Sequence, residues 1–258
     1  MWTPLGKVKM LNSPVLSIIT VSAFDEIRLA RTMNSLARVP KNVEYLVVTP
    51  EKDLDSKKIW NKFQNDFNSN TKIVHDKNIG IYEAMNLGVS EASGDYVCFW
   101  NSGDELFSDN ALDVLIETLQ SKMPLWLICQ GDFSWHKPLI LDNSELKGFV
   151  LHEFGKFISH QTIVTKKDFF IDLGGFDTRF KVAADTAQIT AMSRVAFPYF
   201  EMIKVVKVES PKFASRNHRR ARLEVILIVW LYLKGAQRVK ALYNILKSEV
   251  SSKIKYYE

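Results

Sequence analysis

An open, mixed but mainly parallel α/β sheet flanked by helices is the fold class this sequence predicts, followed by a basic C-terminal helical extension. Three observations predict it. Short runs that are apolar throughout and rich in β-branched residues recur along the first hundred positions, which is how strands buried on both faces read. Stretches with apolar residues at helical spacing stand between them, so strand and helix alternate as in a parallel sheet. One such run, "YVCFW" at 96–100, empties directly into Asn101, Ser102, Gly103, Asp104 and Glu105. Sheets of this class bind ligands beyond the C-terminal ends of their strands.

The elements follow in order. "VLSIITVSAF" (15–24) is the first strand, and Asp25 can cap a helix with Leu29, Met33 and Leu36 on its inner face. "VEYLVV" (43–48) is the second strand. A helix around 54–68 puts Trp60, Phe63 and Phe67 on one stripe, and "TKIVHD" (71–76) is a third, shorter strand. Residues 81–92 read as a helix, "YVCFW" as the fourth strand, and Asp109 as the cap of a helix over 110–121. The pattern then changes. "PLWLICQGDFSW" (124–135) reads as a strand, and residues 132–160 are loop-rich and aromatic. A short helix near 166–173 leads into "GGFD" (174–177), another helix begins near Asp185, and "MIKVVKVES" (202–210) is the last strand. There is no internal repeat and no low-complexity segment.

Composition bounds the function. The chain has 258 residues, 47% of them hydrophobic and 24% charged, enough for one large domain or two joined halves. Its two cysteines, Cys98 and Cys129, sit in apolar runs. That excludes a disulfide framework and points to a reducing, cytosolic compartment. "VLSIITVSAF" follows Lys7 and Lys9 but ends in Asp25 and Glu26 without a cleavage site, so a strand fits better than a secretion signal. No run reaches the roughly 18 apolar residues of a membrane span. "LEVILIVWLYL" (223–233) is short and carries Glu224. From Lys212 to Glu258 there are 11 Lys and Arg against 3 Asp and Glu, a net of +8 in a chain of +5, so a mildly acidic body bears a basic tail.

Asp104 in "NSGD" lies where the phosphates of a nucleotide would sit in such a sheet. A carboxylate repels a diphosphate, so that arrangement needs a bridging cation, and oxygen ligands on a turn suit Mg²⁺ or Mn²⁺. The same four residues are also common turn formers, and a polar turn capping the next helix would use them equally. In "NIGIYEAMNLGVSEASGDY" (78–96), Gly80 and Gly88 permit close backbone approach and Gly94 breaks the helix before the strand. Asn86 offers a donor and an acceptor toward the pocket, or a local bond to backbone. Met33 and Met85 read as core.

Three blocks then carry a resemblance. "SIITVSAF" with a following L..T..SL, "GIYEAMNLGVSEASGDYVCFWNSGD" and "HQTIVTKKDFFIDLGGFDTRFKVAAD" stand in the order and spacing of a family 2 glycosyltransferase with the GT-A fold. More narrowly, they resemble bacterial enzymes that build O-antigen, capsule or colanic-acid-type polysaccharides, over roughly residues 14–210. The resemblance implies inverting transfer of a sugar from a nucleoside-diphosphate sugar to an acceptor hydroxyl, with a divalent metal, Mn²⁺ or Mg²⁺. It puts Asp104 at the metal and Asp185 in the place of the catalytic base. Thr20, Ser22, Thr49, Asn78, Tyr82, Asn86, Asn101 and Ser102 fall around the nucleotide and donor sugar, and His160, Gln161, Gly175, Phe176 and Asp177 on the acceptor side. It divides the chain into a nucleotide-sugar half (1–108), an acceptor and catalytic half (109–211) and a basic amphipathic tail (212–258). Two positions depart from the family pattern. Thr49 stands where many members carry an acidic residue at the end of the second strand, and Asn78 where many carry Asp. An amide pairs with uracil but also with other bases, so a UDP-sugar stands ahead of a GDP-sugar as the donor.

The chemistry follows from charge. A metal at Asp104 would stabilise the leaving diphosphate as a Lewis acid. One carboxylate taking the acceptor's proton suffices for single displacement with inversion, through an oxocarbenium-like transition state. Asp185 suits that role, and it also suits an N-cap for "TAQITAMSRVAF". His160 could equally be a buried side chain beside an apolar strand. In the tail, Arg216, Arg219, Arg220 and Arg222 precede an apolar run that Lys234, Arg238 and Lys240 follow. An interfacial helix on anionic lipid has this pattern, as does a helix packed on the body with a solvated basic face. The membrane reading fits a lipid-linked saccharide acceptor and a peripheral cytoplasmic enzyme on the inner face of a bacterial inner membrane. No nucleic-acid motif accompanies the basic residues. A sugar-nucleotide pyrophosphorylase would show a Gly-rich phosphate loop after the first strand, and "TVSAFDEIR" has none. A degenerate scaffold subunit of a polysaccharide assembly complex is the non-enzyme alternative, prompted by Thr49 and Asn78.

Overall fold

A computed structural model of the protein describes residues 13–37, 39–67, 70–78, 80–133, 158–209, 217–236, 238–239 and 241–243. Most of the loop-rich, aromatic segment 132–160 lies outside the described residues, as do Arg216, Lys240 and the end of the basic tail.

The sheet grows outward from β1 (Leu16–Val21), all six residues of which are buried. It pairs in parallel with β2 (Val43–Pro50) and β4 (Tyr96–Asn101), and β2 pairs in parallel with β3 (Thr71–Asp76). Beyond β4 the direction changes. Strand β7 (Ile163–Lys166) runs antiparallel to both β4 and β6 (Trp126–Phe133). Strand β8 (Tyr199–Val208) is parallel to β6, and the two-residue β5 (Glu105–Leu106) closes the edge antiparallel to it. The order is β3-β2-β1-β4-β7-β6-β8-β5. Through β7 the chain returns, so the C-terminal ends of β1, β4, β6 and β8 share one edge of the sheet.

Alternation along the strands splits the core in two. Leu16 and Ile18, Val43, Tyr45 and Val47, and Cys98 and Trp100 face α1 (Glu26–Leu36), α2 (Leu54–Phe63) and α4 (Ala111–Lys122). Ile19 and Val21, Leu46 and Val48, and Val97 and Phe99 face α3 (Ile81–Glu91), α5 (Lys167–Asp172), α6 (Ala184–Val195) and α7 (His218–Tyr232). Strands sandwiched this way read as near-continuous apolar runs, here interrupted by buried Ser17, Thr20, Glu44 and Thr49. Gly88 lets α3 lie against β1, since a Cβ there would stand 2.5 Å from the Ile19 side chain.

Several boundaries differ from the sequence reading. The first strand stops at Val21 instead of running to Phe24. Ser22 N–H still bonds the Val48 carbonyl, but Phe24 turns to φ 55° and donates its N–H to the Asp53 carboxylate. Asp25 does cap α1, accepting from the Arg28 N–H at 3.3 Å. Helix α2 gives way after Phe63 to a short 3-10 turn (Gln64–Asp66), yet Phe67 still stacks on Tyr45 at 5.3 Å. Asp109 is not the cap of α4. Asn110 occupies that position and makes no side-chain capping bond, its carboxamide oxygen being taken by the Ser108 hydroxyl. Cys98 and Cys129 are both buried and free, and burial pushes both thiols up.

Candidate active site

At the edge where β1 and β4 end lies a cavity of about 370 Å³. Its floor is the pair of turns that leave these strands. Val21 pairs with Asn101, and just beyond them the Ser22 and Ser102 hydroxyls stand 3.4 Å apart. The turn after β4 requires glycine twice over. Gly103 has φ 102°, and its N–H reaches the Thr32 hydroxyl on α1 at 2.8 Å. A Cβ there would collide with Glu209 at 2.0 Å.

That turn delivers Asp104 into the cavity wall, 1% exposed. One carboxylate oxygen accepts the Asn101 N–H at 2.7 Å and the other the Glu209 N–H at 2.9 Å. Burial pushes its pKa up to about 6, against the pull of those two N–H groups, the nearby His160 and the Gln161 side chain. Asp104 thus ties the end of β4 to the residue after β8. Glu209 in turn pairs with Arg28 and, at 3.3 Å, with Arg31.

Asp185 lines the same cavity. It stands in the first turn of α6, whose N-cap is Ala183, so capping is not its role. Its Oδ2 lies 3.2 Å from His160 Nδ1. Its Oδ1 accepts the Thr186 N–H at 2.8 Å and lies 3.2 Å from the Tyr82 hydroxyl, which also reaches the Val182 carbonyl at 2.9 Å. Burial alone would raise its pKa, but the His160, Thr186 and Tyr82 contacts together hold it below the usual carboxylate range. On the far side of the imidazole, His160 Nε2 lies 3.4 Å from Asn101 Nδ2. With the Asn101 amide donating there, the Nδ1 hydrogen points at Asp185. A continuous polar chain therefore runs from the turn after β4, through His160, to Asp185.

The cavity brings together Ser22, Tyr82, Asn101, Ser102, Asp104, His160, Gln161 and Asp185. It does not gather the remaining expected site residues. Thr20 is fully buried in β1 with an unpartnered hydroxyl. Thr49 is buried and donates to Asp53 at 3.3 Å. Asn78 has φ 54°, is exposed, and gives its N–H to Asp76 at 2.9 Å. The Asn86 amide spends both ends on Phe176, donating to its carbonyl at 2.8 Å and accepting its N–H at 2.9 Å. Gly175 has φ 68° beside that clamp. Phe176 is buried against Tyr82, Phe99 and Phe170, and Asp177 pairs with Arg179 at 2.6 Å. Conversely, Asp25, Arg28 and Glu209 line the cavity without having been read as site residues. The signal for Glu209 was present, because "VVKVES" is another apolar strand ending in a carboxylate.

Among the described residues no group of three His, Cys, Asp or Glu could hold a metal by itself. The fit to a hard cation therefore rests on oxygen donors and on what a substrate brings. Asn101 Oδ1 is buried, has no partner and belongs to the same cavity as Asp104. One carboxylate and one amide oxygen suit Mg²⁺ or Mn²⁺, which commonly complete their shell with phosphates and water.

The family model described as glycosyl transferase family 2 matches residues 17–160. An uncharacterized glycosyltransferase of Mycobacterium tuberculosis is 26% identical over 221 residues, covering 81% of this chain and 80% of its own. A glycosyltransferase of PGL/p-HBAD biosynthesis from Mycobacterium bovis is 26% identical over 183 residues, 68% of each chain. Among solved structures, S. aureus TarS 1-349 in complex with UDP superposes with a TM-score of 0.68 at 18% identity, covering 92% of this chain and 72% of that one. The Pyrobaculum calidifontis mannosyltransferase PcManGT in complex with GDP-Man and Mn²⁺ superposes with a TM-score of 0.63 at 15% identity, covering 90% and 69%. The match over more than half its length, on a mixed sheet of eight strands shared with these structures, makes this chain a member of glycosyl transferase family 2 with the GT-A fold.

Proposed function

We propose that the protein is an inverting glycosyltransferase that moves a sugar from a nucleoside-diphosphate sugar to a hydroxyl of a lipid-linked saccharide in bacterial surface polysaccharide synthesis. The observation that carries this reading is Asp185, held ionised by His160, Tyr82 and Thr186 in the wall of the cavity that Asp104 also lines. A carboxylate in the cavity wall, with one oxygen oriented by His160, can accept a proton from an acceptor hydroxyl, although the bonds that hold its pKa low also weaken it as a base. His160 orients it, and Asn101 orients His160. Asp104 and Asn101 would hold a divalent cation, whose chemistry when bound is to offset charge on the departing diphosphate. The proposed donor is a nucleotide sugar, a UDP-sugar first and a GDP-sugar second; TarS in complex with UDP-GlcNAc and PcManGT with GDP-Man support the nucleotide sugar without ranking the two.

In this reading residues 1–108 serve the nucleotide sugar, 109–211 the acceptor and catalysis, and 212–258 the membrane. Support for the last comes from α7. Leu223, Leu227, Trp230 and Leu231 form one exposed stripe at helical spacing, with exposed Arg219 before it and Lys234 after it. An interfacial helix has this layout, and such an enzyme would work on the cytoplasmic face of the inner membrane. No helix among the described residues is long and apolar enough to cross a membrane.

A second reading, a scaffold subunit without turnover, draws on Asp104, whose two oxygens are already engaged by backbone N–H groups. One experiment separates the two. Release of nucleoside diphosphate from UDP-N-acetylglucosamine, UDP-glucose and GDP-mannose is followed with Mn²⁺. Metal-dependent release from one donor is expected, and Asp185→Asn should cut it by about 10²- to 10⁴-fold while leaving donor affinity within about twofold. Normal release by that variant contradicts the base assignment, and none by the wild type favours the scaffold.

A further inference from the structure

Helix α7 reaches the active site through a buried carboxylate. Glu224, on its inner face, is 8% exposed. It accepts the N–H groups of three successive residues: Lys181 at 3.0 Å, Val182 at 2.8 Å and Ala183 at 3.0 Å. The Arg220 guanidinium, one turn back, bonds the same carboxylate at 2.8 Å. Successive N–H groups turned to one point make an anion site, and here the chain's own side chain fills it. Those N–H groups belong to the three residues that lead into α6, the last of them its N-cap Ala183. Asp185 stands two residues further on. The other side of the same loop is held from α3, where the Tyr82 hydroxyl takes the Val182 carbonyl and Glu83 pairs with Lys181. The loop that delivers Asp185 is thus pinned between α3 and α7.

We propose that Glu224 is a positioning residue for sugar transfer: its carboxylate gathers the backbone N–H groups of the loop that leads into α6 and so sets Asp185 within hydrogen-bonding distance of His160. This rests on the reading of Asp185 as base. Replacing Glu224 by Gln keeps the shape but turns an NH₂ toward backbone donors, so at least one of the three bonds is lost and the loop shifts. A displacement of about 1 Å at a reacting group costs on the order of 10²-fold in rate.

The test reads the His160 imidazole by ¹⁵N NMR, assigned with His160→Gln, together with nucleoside diphosphate release and calorimetric binding of UDP with Mn²⁺. Wild type, Glu224→Gln and Asp185→Asn are compared. In Glu224→Gln the His160 signals are expected to move toward those of Asp185→Asn, and release to fall about 10- to 100-fold with UDP stoichiometry unchanged. Unfolding alone would lower the stoichiometry in step with the rate. Unmoved His160 signals overturn the proposal whatever the rate does. Moved signals with a wild-type release rate also overturn it, while an inactive Asp185→Asn leaves the base assignment standing. Normal release by Asp185→Asn removes the base and this inference with it. Should Glu224→Gln not fold, Arg220→Gln removes a largely exposed partner of the same carboxylate. A smaller shift of the same His160 signals supports the proposal, and no shift overturns it.

Discussion

At Asp104, burial and hydrogen bonding act against each other, and burial wins. The folded chain holds the proton to about pH 6, whereas the ordinary value is 3.8. Between those values the folded state binds more protons than the unfolded one. The stability of the neutral form is therefore complete below pH 3.8 and is lost as pH rises through 6. At about 1.4 kcal/mol per unit, the loss is about 3 kcal/mol at most. Urea denaturation at pH 4.5 and 6.5 is expected to show Asp104→Asn gaining on the wild type at the higher pH, and a constant difference between the two contradicts the assignment. Asp185 has the opposite sign. Its lowered pKa gives stability that is present above the ordinary carboxylate value and is lost only as pH falls through the folded one. Asp104 was legible from its place at the end of a recognisable strand, whereas Asp185 and His160 were marked by the resemblance to the family's motifs. The sequence did not offer the His160–Asp185 bond, which joins positions 25 residues apart through tertiary packing. Nor did it reveal that Thr49 and Asn86 turn inward, since Thr49 is held by Asp53 in the turn just after its strand and Asn86 by Phe176 from a distant segment.

Among the elements, the segment before α6 is held by side-chain to backbone bonds from α3 and α7. Asn86 on α3 clamps Phe176 by both its N–H and its carbonyl. Asn86→Ala would leave both backbone groups without their partner, at a cost of about 1–3 kcal/mol. For a chain of this size that is a fall of about 2–12 °C in Tm, which calorimetric melting would measure, and an unchanged Tm contradicts the clamp. Helices α1 and α3 and strands β1, β2 and β4 were legible because doubly buried strands read as uninterrupted apolar runs while one-sided helices repeat every three to four residues. Strand β7 was not, because its four residues merge with the short helix that follows. The strand-like look of Ala23 and Phe24 misled for a related reason: Phe24 is apolar but 60% exposed at a turn, where it serves the Asp53 contact through its backbone.

Across the whole molecule, α7 has two apolar faces. Ile228 joins the core beside α3 and α6, while Leu227 and Trp230 face outward. The sequence left packing and membrane contact as alternatives, and one helix has the residues for both. Leu227→Ser with Trp230→Ser is expected to reduce cosedimentation with anionic vesicles by about tenfold or more, with UDP binding unchanged. Equal sedimentation contradicts the membrane reading. The direction change at β4 and β7 matters most at this scale, because it sets strand ends from both halves of the sheet around one cavity. The central claim, that this cavity takes a nucleoside diphosphate through a metal, is tested most directly by calorimetry of UDP, GDP, CDP and TDP with and without Mn²⁺. The account predicts binding of one nucleotide, UDP ahead of GDP, that requires Mn²⁺ and is lost in Asp104→Asn. No binding of any nucleotide, or binding indifferent to both Mn²⁺ and Asp104, would contradict it.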